Sequence, residues 1–271
     1  LAEAHFLLGR AAFDQGDFKS SISHMAEAKT LDPQKYGEQV NVLSVLSYHK
    51  LQDVNKLKEA LETLQKENPS AVARVPDVIP AWLGLQAYGM KDLETADKYM
   101  TWATQNDQLQ NVKKVIWRNL AKVRLALKKY DRALVASNNF LKDEDQPYRR
   151  ADGMLDKASI LLGLGKYSDA RKTAEEALAL GVEGPLMASL KIVLGDISYA
   201  EKKFDEAAKH YGVTAELFVN DAELKPKALF KAAEALDKAG RKSEASQYRA
   251  RLQKEFPDWK QDDESLPPDA R

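Results

Sequence analysis

The sequence contains no cysteine. Disulfides, thiolate nucleophiles and cysteine-ligated zinc or iron–sulfur sites are therefore excluded. The absence of a spare thiol is compatible with an oxidising compartment but does not require one. The chain also begins with Leu1 and has no charged-then-apolar leader, so we expect either a removed leader or a fragment of a longer protein.

Long apolar runs and an excess of one charge are missing too. No stretch approaches the roughly 20 apolar residues that a membrane-spanning helix needs. The 41 basic residues equal the 41 acidic residues, so no bulk field attracts nucleic acid or an anionic membrane surface. Apolar residues make up 44% of the 271 residues, which is enough for a substantial core. These totals argue against a transmembrane segment and disfavour binding to nucleic acid.

Motifs of catalysis and metal binding are equally scarce. The four histidines, His5, His24, His49 and His210, lack the spacing of metal ligands, and no HExxH or G-x-S-x-G occurs. The glycine-containing stretch 163–167 lacks the Ser or Thr of a phosphate-binding loop and fits a turn. The sequence therefore predicts no catalytic residue, no metal, no cofactor and no enzymatic activity. An enzyme or enzyme subunit remains a third hypothesis, which a cleft with converging carboxylates would revive.

The sequence contains a repeat instead. Four times an aromatic residue follows a Gly or Lys turn, and a small residue stands three positions later. The aromatic residues are Phe18, Tyr130, Tyr167 and Phe204. With three weaker copies, this small-residue slot holds Ser21, Leu57, Ala96, Ala133, Ala170, Ala207 and Ala245. The steps between slots are 36, 39, 37, 37, 37 and 38 residues, and such a regular period predicts a solenoid of seven units.

Within a unit the apolar spacing is helical. Ile160, Leu161 and Leu164 precede a turn at Gly165, and a second apolar series follows from Ala170 with i, i+3, i+4, i+7 spacing. The turn divides the pattern into two helices of about a dozen residues, which predicts an antiparallel pair. A single pair leaves its apolar face open, so neighbouring pairs must stack to bury a continuous core.

These units resemble the tetratricopeptide repeat. The family pattern runs W-x2-L-G-x2-Y, then A-x3-F and a closing P. Partial matches are His5, Leu8, Gly9, Ala12, Ser21, Met25, Ala28 and Pro33 in unit one, Trp117, Leu120, Ala121, Ala133 and Phe140 in unit four, and Leu194, Gly195, Ala207 and Tyr211 in unit six. The resemblance implies an all-α fold, a right-handed superhelical solenoid of antiparallel helix pairs over residues 1–257.

The predicted unit boundaries follow from that frame. The units are 2–35, 38–70, 77–110, 114–147, 151–184, 188–221 and 226–257. Unit two is the most divergent, because Leu57 occupies its small-residue slot, and the proline-containing stretch 68–80 predicts an ordered link or a slight bend. Residues 258–271 are acidic and aperiodic, so we expect a disordered tail.

The resemblance also implies that partners bind in a concave groove lined by the first helix of each unit. The predicted partner-binding residues are Phe6, Arg10, Phe13, Val42, Leu46, His49, Trp82, Leu85, Tyr88, Arg118, Asn119, Lys122, Asp152 and Asp156. The same stripe continues with Ile192, Asp196 and Tyr199 in unit six and with Lys227, Phe230, Lys231 and Glu234 in unit seven. The groove is thus expected to be apolar in its first half, basic at its centre and then acidic. Alternatively, Phe6, Phe13 and Trp82 pack between neighbouring helices.

From this lining we predict a non-catalytic protein–protein interaction scaffold that binds a peptide or helical segment of a partner in the groove. Chaperone-binding members of the family hold a carboxylate with Lys and Asn in the first unit. Phe6 and Arg10 occupy those positions here, so a chaperone tail is not the expected partner.

The alternative function is structural. Phe6, Leu7, Leu8 and Phe13 of the first helix have no earlier helix to cover them. They favour self-association through the N-terminal unit, or docking within a larger chain. The compartment is left open. The lack of cysteine and the closing stretch 248–259, which resembles unit ends of bacterial envelope repeat proteins, favour a bacterial periplasmic location over a cytoplasmic one.

Overall fold

The computed structural model describes residues 1–105, 110–217 and 221–260. Every regular element among these residues is a helix, and successive helices pack in pairs. This confirms the predicted all-α fold of antiparallel helix pairs. The chain divides into two compact units, an N-terminal unit (1–111) and a C-terminal unit (112–271). The continuity of one solenoid over residues 1–257 stays a prediction.

Fourteen α-helices and one short 3-10 helix make up the described residues. The N-terminal unit contains α1 (Ala2–Asp14), α2 (Phe18–Leu31), α3 (Pro33–Lys50), α4 (Val54–Glu67), the 3-10 helix (Pro69–Arg74), α5 (Val78–Gly89) and α6 (Leu93–Ala103). There follow α7 (Gln110–Ala126), α8 (Tyr130–Lys142), α9 (Pro147–Gly163), α10 (Tyr167–Ala179), α11 (Gly184–Ala200), α12 (Phe204–Leu217), α13 (Leu224–Lys238) and α14 (Lys242–Glu255).

The turn inside each pair has one backbone geometry. A residue five positions before the small-residue slot adopts a left-handed conformation, with φ between 55° and 81°. These residues are Gly16, Gln52, Lys91, Lys128, Gly165, Lys202 and Gly240. The next N–H donates to a carbonyl five positions back, as from Lys203 to Ser198 at 2.8 Å. This bonding pattern closes the end of the first helix and fixes where the second helix starts.

The seven slots are all completely buried, with 0% of each residue exposed. Ala170, for example, lies in a core cluster with Leu161 and Ile197. Leu57 is equally buried, so the divergent unit two keeps the frame with a larger side chain at the crossing of its helices. Each repeat therefore places one completely buried residue at the same position of its second helix.

The ends of the helices differ between the two units. In the N-terminal unit, an aspartate caps each second helix by accepting a backbone N–H of the first turn; these are Asp17, Asp53 and Asp92. In the C-terminal unit, three of the same cap positions hold Lys129, Lys166 and Arg241, whose side chains make no capping bond. In the N-terminal unit a side chain thus accepts a free N–H of the first helical turn. In these three helices of the C-terminal unit, the corresponding N–H groups have no side-chain acceptor at the cap position.

The predicted ordered link at 68–80 and the first residues of the predicted disordered tail both make ordered contacts. The stretch 68–80 contains the 3-10 helix Pro69–Arg74 and the start of α5, and between them Val75 is extended before Pro76, as expected for a residue preceding proline. Most of the predicted disordered tail, 261–271, lies outside the described residues. Its beginning is packed, since the Trp259 ring lies 5.6 Å from that of Phe230.

Candidate functional site

The first helices of the pairs form the surface on which the sequence places the binding residues. We call this surface the first-helix face and describe it separately for α1, α3 and α5 of the N-terminal unit and for α7, α9, α11 and α13 of the C-terminal unit. No described helix is long and apolar enough to cross a membrane. Nowhere in residues 1–105, 110–217 and 221–260 do three His, Asp or Glu residues gather as metal ligands would.

On the N-terminal face the predicted aromatic residues pack against their neighbours. Phe6 of α1 stacks on Tyr36 of α3, with ring centroids 4.8 Å apart. Trp82 of α5 meets His49 of α3 edge-on at 5.4 Å. Burial lowers the pKa of His49, and Lys50 lowers it further, so the ring is neutral near pH 7. These rings connect adjacent first helices and stabilise the stack.

The aliphatic residues of this face also pack against the hydrophobic core of the N-terminal unit. Val42, Leu46 and Trp82 are half-buried against the cluster that contains Leu61 and Leu83. The remaining predicted residues of this face vary in burial. Tyr88 is 9% exposed, Leu85 is half-buried, Phe13 packs edge-on against Phe18 at 5.4 Å, and Arg10 is exposed. Their role in binding a partner stays a prediction.

The C-terminal face begins with a charged cluster. Arg118 of α7 forms an ion pair with Asp152 of α9, and its Nε lies 3.9 Å from an oxygen of Asp156. The guanidinium also stands 5.9 Å from the centre of the Phe140 ring. Asn119 and Lys122 are half-buried on the same helix. The structure thus brings together the predicted basic centre and acidic continuation, one repeat apart.

A second ion pair lies further along this face. Asp196 of α11 accepts a hydrogen bond from the Tyr211 hydroxyl at 2.6 Å and another from Lys231 Nζ of α13 at 3.0 Å. Burial raises the pKa of Tyr211 well above its usual value, and the Asp196 charge raises it further, so the phenol stays a donor. Tyr211 reaches Asp196 because Gly195 has no side chain: a Cβ there would lie 2.4 Å from the Tyr211 ring.

A cavity opens beside this ion pair. Its volume is about 360 Å³, and its lining is Leu162, Asp196, Tyr199, Ala200, Tyr211, Lys231 and Glu234. The side chains come from α9, α11, α12 and α13, so the cavity belongs to three consecutive repeats. Its size falls within the range of about 300–1,000 Å³ that is typical of ligand sites. It combines aromatic walls with charged groups that can accept or donate hydrogen bonds.

The predicted partner-binding residues come from units one to five and do not include this cavity. The stripe pattern places Asp196, Tyr199, Lys231 and Glu234 on the first-helix face, outside that predicted set. Opposite charges 35 residues apart, at Asp196 and Lys231, are a signal that would have identified the pair. Ile192 of the stripe is 4% exposed and lies in the core cluster that contains Ala207, so it offers little surface to a partner.

Comparison with known proteins agrees with this architecture. A tetratricopeptide-repeat family profile matches residues 2–36 and 155–218, and a second profile of the same description matches residues 227–258. The search of curated proteins gives no match to the sequence.

Several solved structures share the fold at low sequence identity. The apo form of RapI is 15% identical, with a TM-score of 0.57 over 97% of this chain and 79% of that one. A Rap protein complexed with competence and sporulation factor is 14% identical, with a TM-score of 0.56 over 95% and 77%. A tetratricopeptide-repeat protein from Parabacteroides merdae is 14% identical, with a TM-score of 0.50 over 99% and 97%. The two profile matches, together with the same turn geometry in all seven pairs, identify this chain as a tetratricopeptide-repeat protein, and the solved structures share its fold.

Proposed function

We propose that the chain is a non-catalytic interaction scaffold that binds a peptide or helical segment of a partner protein on the first-helix face of its C-terminal unit. The observation that carries this proposal is the cavity beside Asp196 and Lys231. It has the volume for one or two side chains, and Tyr199 and Tyr211 offer it apolar ring surface. The neighbouring cluster of Arg118, Asn119, Lys122, Asp152 and Asp156 extends the same face toward α7 and supplies polar contacts for the rest of a peptide.

The chemistry of the face favours binding over catalysis. Two of its carboxylates are paired with cations, Asp196 with Lys231 and Asp152 with Arg118, so these two resemble recognition and stabilising groups more than general acids. Tetratricopeptide-repeat scaffolds are generally non-catalytic. One protein of the same fold, a Rap protein, was solved in complex with a competence and sporulation factor, which supports a bound partner for this chain as well.

Peptide binding can be tested without knowing the natural partner. A phage-displayed library of random dodecapeptides is panned on the native chain, and the affinities of recovered peptides are measured by fluorescence anisotropy. We expect Tyr199→Ala and Lys231→Met to weaken binding about tenfold or more, because both groups line the cavity. The matched control is Lys172→Met, which removes a lysine from a cavity of about 340 Å³ against α8, α9 and α10. Equal affinity of all variants would move the site elsewhere, and recovery of no peptide would contradict the proposed function.

Self-association is a second candidate function, and α1 supports it. Leu7 is 58% exposed and Leu8 is 53% exposed, which is unusual for two adjacent large apolar residues on one helix. We propose that this surface pairs with a second copy of the chain. Light scattering after size exclusion tests it: the native chain should dimerise with rising concentration, and Leu8→Glu should remain monomeric. A native chain that is monomeric at every concentration would remove this candidate.

A further inference from the structure

Two histidines meet in the first repeat. The Nδ1 atoms of His5 on α1 and His24 on α2 lie 3.2 Å apart. Their ring centroids are 5.4 Å apart, and the ring planes are inclined by 43°. Both side chains are half-buried, so they are held by the helices and still reach solvent. The two residues belong to consecutive helices, which is why no spacing rule for metal ligands identifies them in the sequence.

Gly9 allows the two rings to come so close. A Cβ at this position would lie 3.2 Å from the Cβ of His24 and 3.1 Å from Cγ of Met25. Both distances are tighter than ordinary van der Waals contact, so a larger residue would push α2 away from α1. The family glycine of the first repeat therefore sets the distance between the imidazoles.

The separation of the rings suits two ligands of one metal ion. Imidazole nitrogen binds zinc at about 2.0–2.1 Å, so two such nitrogens at a tetrahedral angle lie about 3.4 Å apart. At 3.2 Å the angle at the metal is still about 100–105°. To share an ion, both rings have to rotate until the two Nδ1 lone pairs point toward one position between them. Each ring then carries its proton on Nε2, and the hydrogen bond between the rings is replaced without net release of a proton.

The type of ligand selects the type of ion. Neutral imidazoles suit Zn²⁺, Ni²⁺ and Cu²⁺, whereas Mg²⁺ and Ca²⁺ prefer oxygen ligands. No third His, Asp or Glu of the described residues gathers with the pair, so water or an external ligand has to complete the coordination sphere. The chain has no cysteine and only two further histidines, so other side chains compete weakly for such ions.

We propose that His5 and His24 form a two-histidine site for a divalent transition-metal ion of the zinc class. The ion connects α1 to α2 and stabilises the first repeat, because it binds the folded chain, in which the rings are together, more tightly than the unfolded chain. The site is independent of the peptide-binding face of the C-terminal unit. The remaining coordination positions of the ion are open to water or to a side chain of another molecule. A side chain bound there would connect that molecule to the first repeat through the metal ion.

The test is calorimetric titration of ZnCl₂ into the full chain after removal of any affinity tag. We expect a single site, weakened about tenfold or more in His5→Gln and in His24→Gln, since even the loss of an outer-shell partner weakens metal binding 10–100-fold. The matched controls are His49→Gln and His210→Gln, which remove the other two histidines and should leave the affinity unchanged. Absence of binding to the native chain, or equal weakening in the controls, would overturn the proposal.

A second measurement does not depend on the variants being folded. Cu²⁺ added to the native chain at one equivalent should give an electron paramagnetic resonance spectrum with coupling to two equivalent imidazole nitrogens. A spectrum with one nitrogen donor or none would show that the two rings do not share an ion. The melting temperature of the native chain should also rise with ZnCl₂ concentration, as expected for an ion that prefers the folded state.

Discussion

The first-helix faces of the two units use equivalent positions in different ways. In the N-terminal unit the positions eleven and fourteen residues before the slot hold apolar side chains such as Leu46 and Trp82, which pack against the core. In the C-terminal unit they hold opposite charges one repeat apart, such as Asp196 and Lys231, and a cavity remains beside them. The repeat frame thus fixes where a side chain lies, and the side chain decides whether the position stabilises the stack or stays available for a partner.

Truncation of the largest ring on the N-terminal face should have the greatest effect. Trp82→Ala removes a half-buried indole that contacts His49 and the core cluster. We expect the free energy of unfolding to fall by about 2–4 kcal/mol, less than for a fully buried ring. Urea denaturation followed by circular dichroism measures the loss. Peptide affinity should stay unchanged; a stable variant that no longer binds peptide would return recognition to the N-terminal face.

Enlarging the small-residue slot tests what the two units share. Ala170→Leu and Ala96→Leu insert three carbon atoms where the helices of a pair cross with no exposed surface. Both should lower the free energy of unfolding by about 1–3 kcal/mol through overpacking. Ala179→Leu, at an exposed position of α10, is the control and should be nearly neutral. If only one of the two slot variants is destabilised, the frame is not equivalent in both units.

The helix caps can be tested by removing a capping aspartate from the N-terminal unit and introducing one in the C-terminal unit. Asp92→Ala should cost about 1 kcal/mol, because the backbone N–H of Thr95 loses its acceptor. Lys166→Asp introduces the missing acceptor at the start of α10 and should raise the free energy of unfolding by about 0.5–1 kcal/mol. Asp92→Asn keeps the capping oxygen while it removes the ion pair with Lys58, so it separates the two contributions. Thermal denaturation of the three variants provides the comparison.

Replacing a left-handed turn residue by glycine should give a smaller increase in the free energy of unfolding. Lys128 has φ 57°, where a side chain is disfavoured, so Lys128→Gly should raise the free energy of unfolding by about 0.5–1 kcal/mol after the entropy of the added glycine is counted. Gly165→Ala at the equivalent turn should lower it by about 1 kcal/mol. A destabilised Lys128→Gly would mean that contacts of the lysine side chain outweigh its backbone strain.

Acid should weaken both units through one partly buried histidine in each. Burial lowers the pKa of His49 and, despite the opposing charge of Glu206, that of His210. Below the unfolded value of about 6.5 the unfolded chain binds more protons, so stability is complete above that pH and falls as the pH is lowered. Urea midpoints between about pH 7.5 and 5.5 measure the slope. His49→Gln and His210→Gln should each flatten it; a slope unchanged in both would exclude these groups as its source.

The repeat frame was predictable because the backbone sets it. Each left-handed residue stands five positions before a buried slot, as Gly165 stands before Ala170, so the period survives in the sequence even where Leu57 or Lys91 replaces the usual residue. The pairing of helices and the buried slots followed from that period alone.

The cavity on the C-terminal face and the pair of histidines in the first repeat were less predictable, because both depend on contacts between helices. One wall of the cavity is Tyr211 of α12, which reaches Asp196 of α11 across the space that Gly195 leaves for its ring. The meeting of His5 and His24 depends on how closely α2 crosses α1. A helical stripe states which residues share a face, but it contains no information on which neighbour covers them.

The constant turn has a consequence for how the chain tolerates changes in length. Three residues separate the helices in every pair, whereas the links between pairs range from one residue, Asp32, to the ten residues of 68–77. An insertion inside a turn would displace the left-handed residue and its hydrogen bond, so it should disrupt the pair. Insertions and fused domains should therefore be accepted at exposed positions of the links between pairs, where the protein can be extended while each pair stays intact.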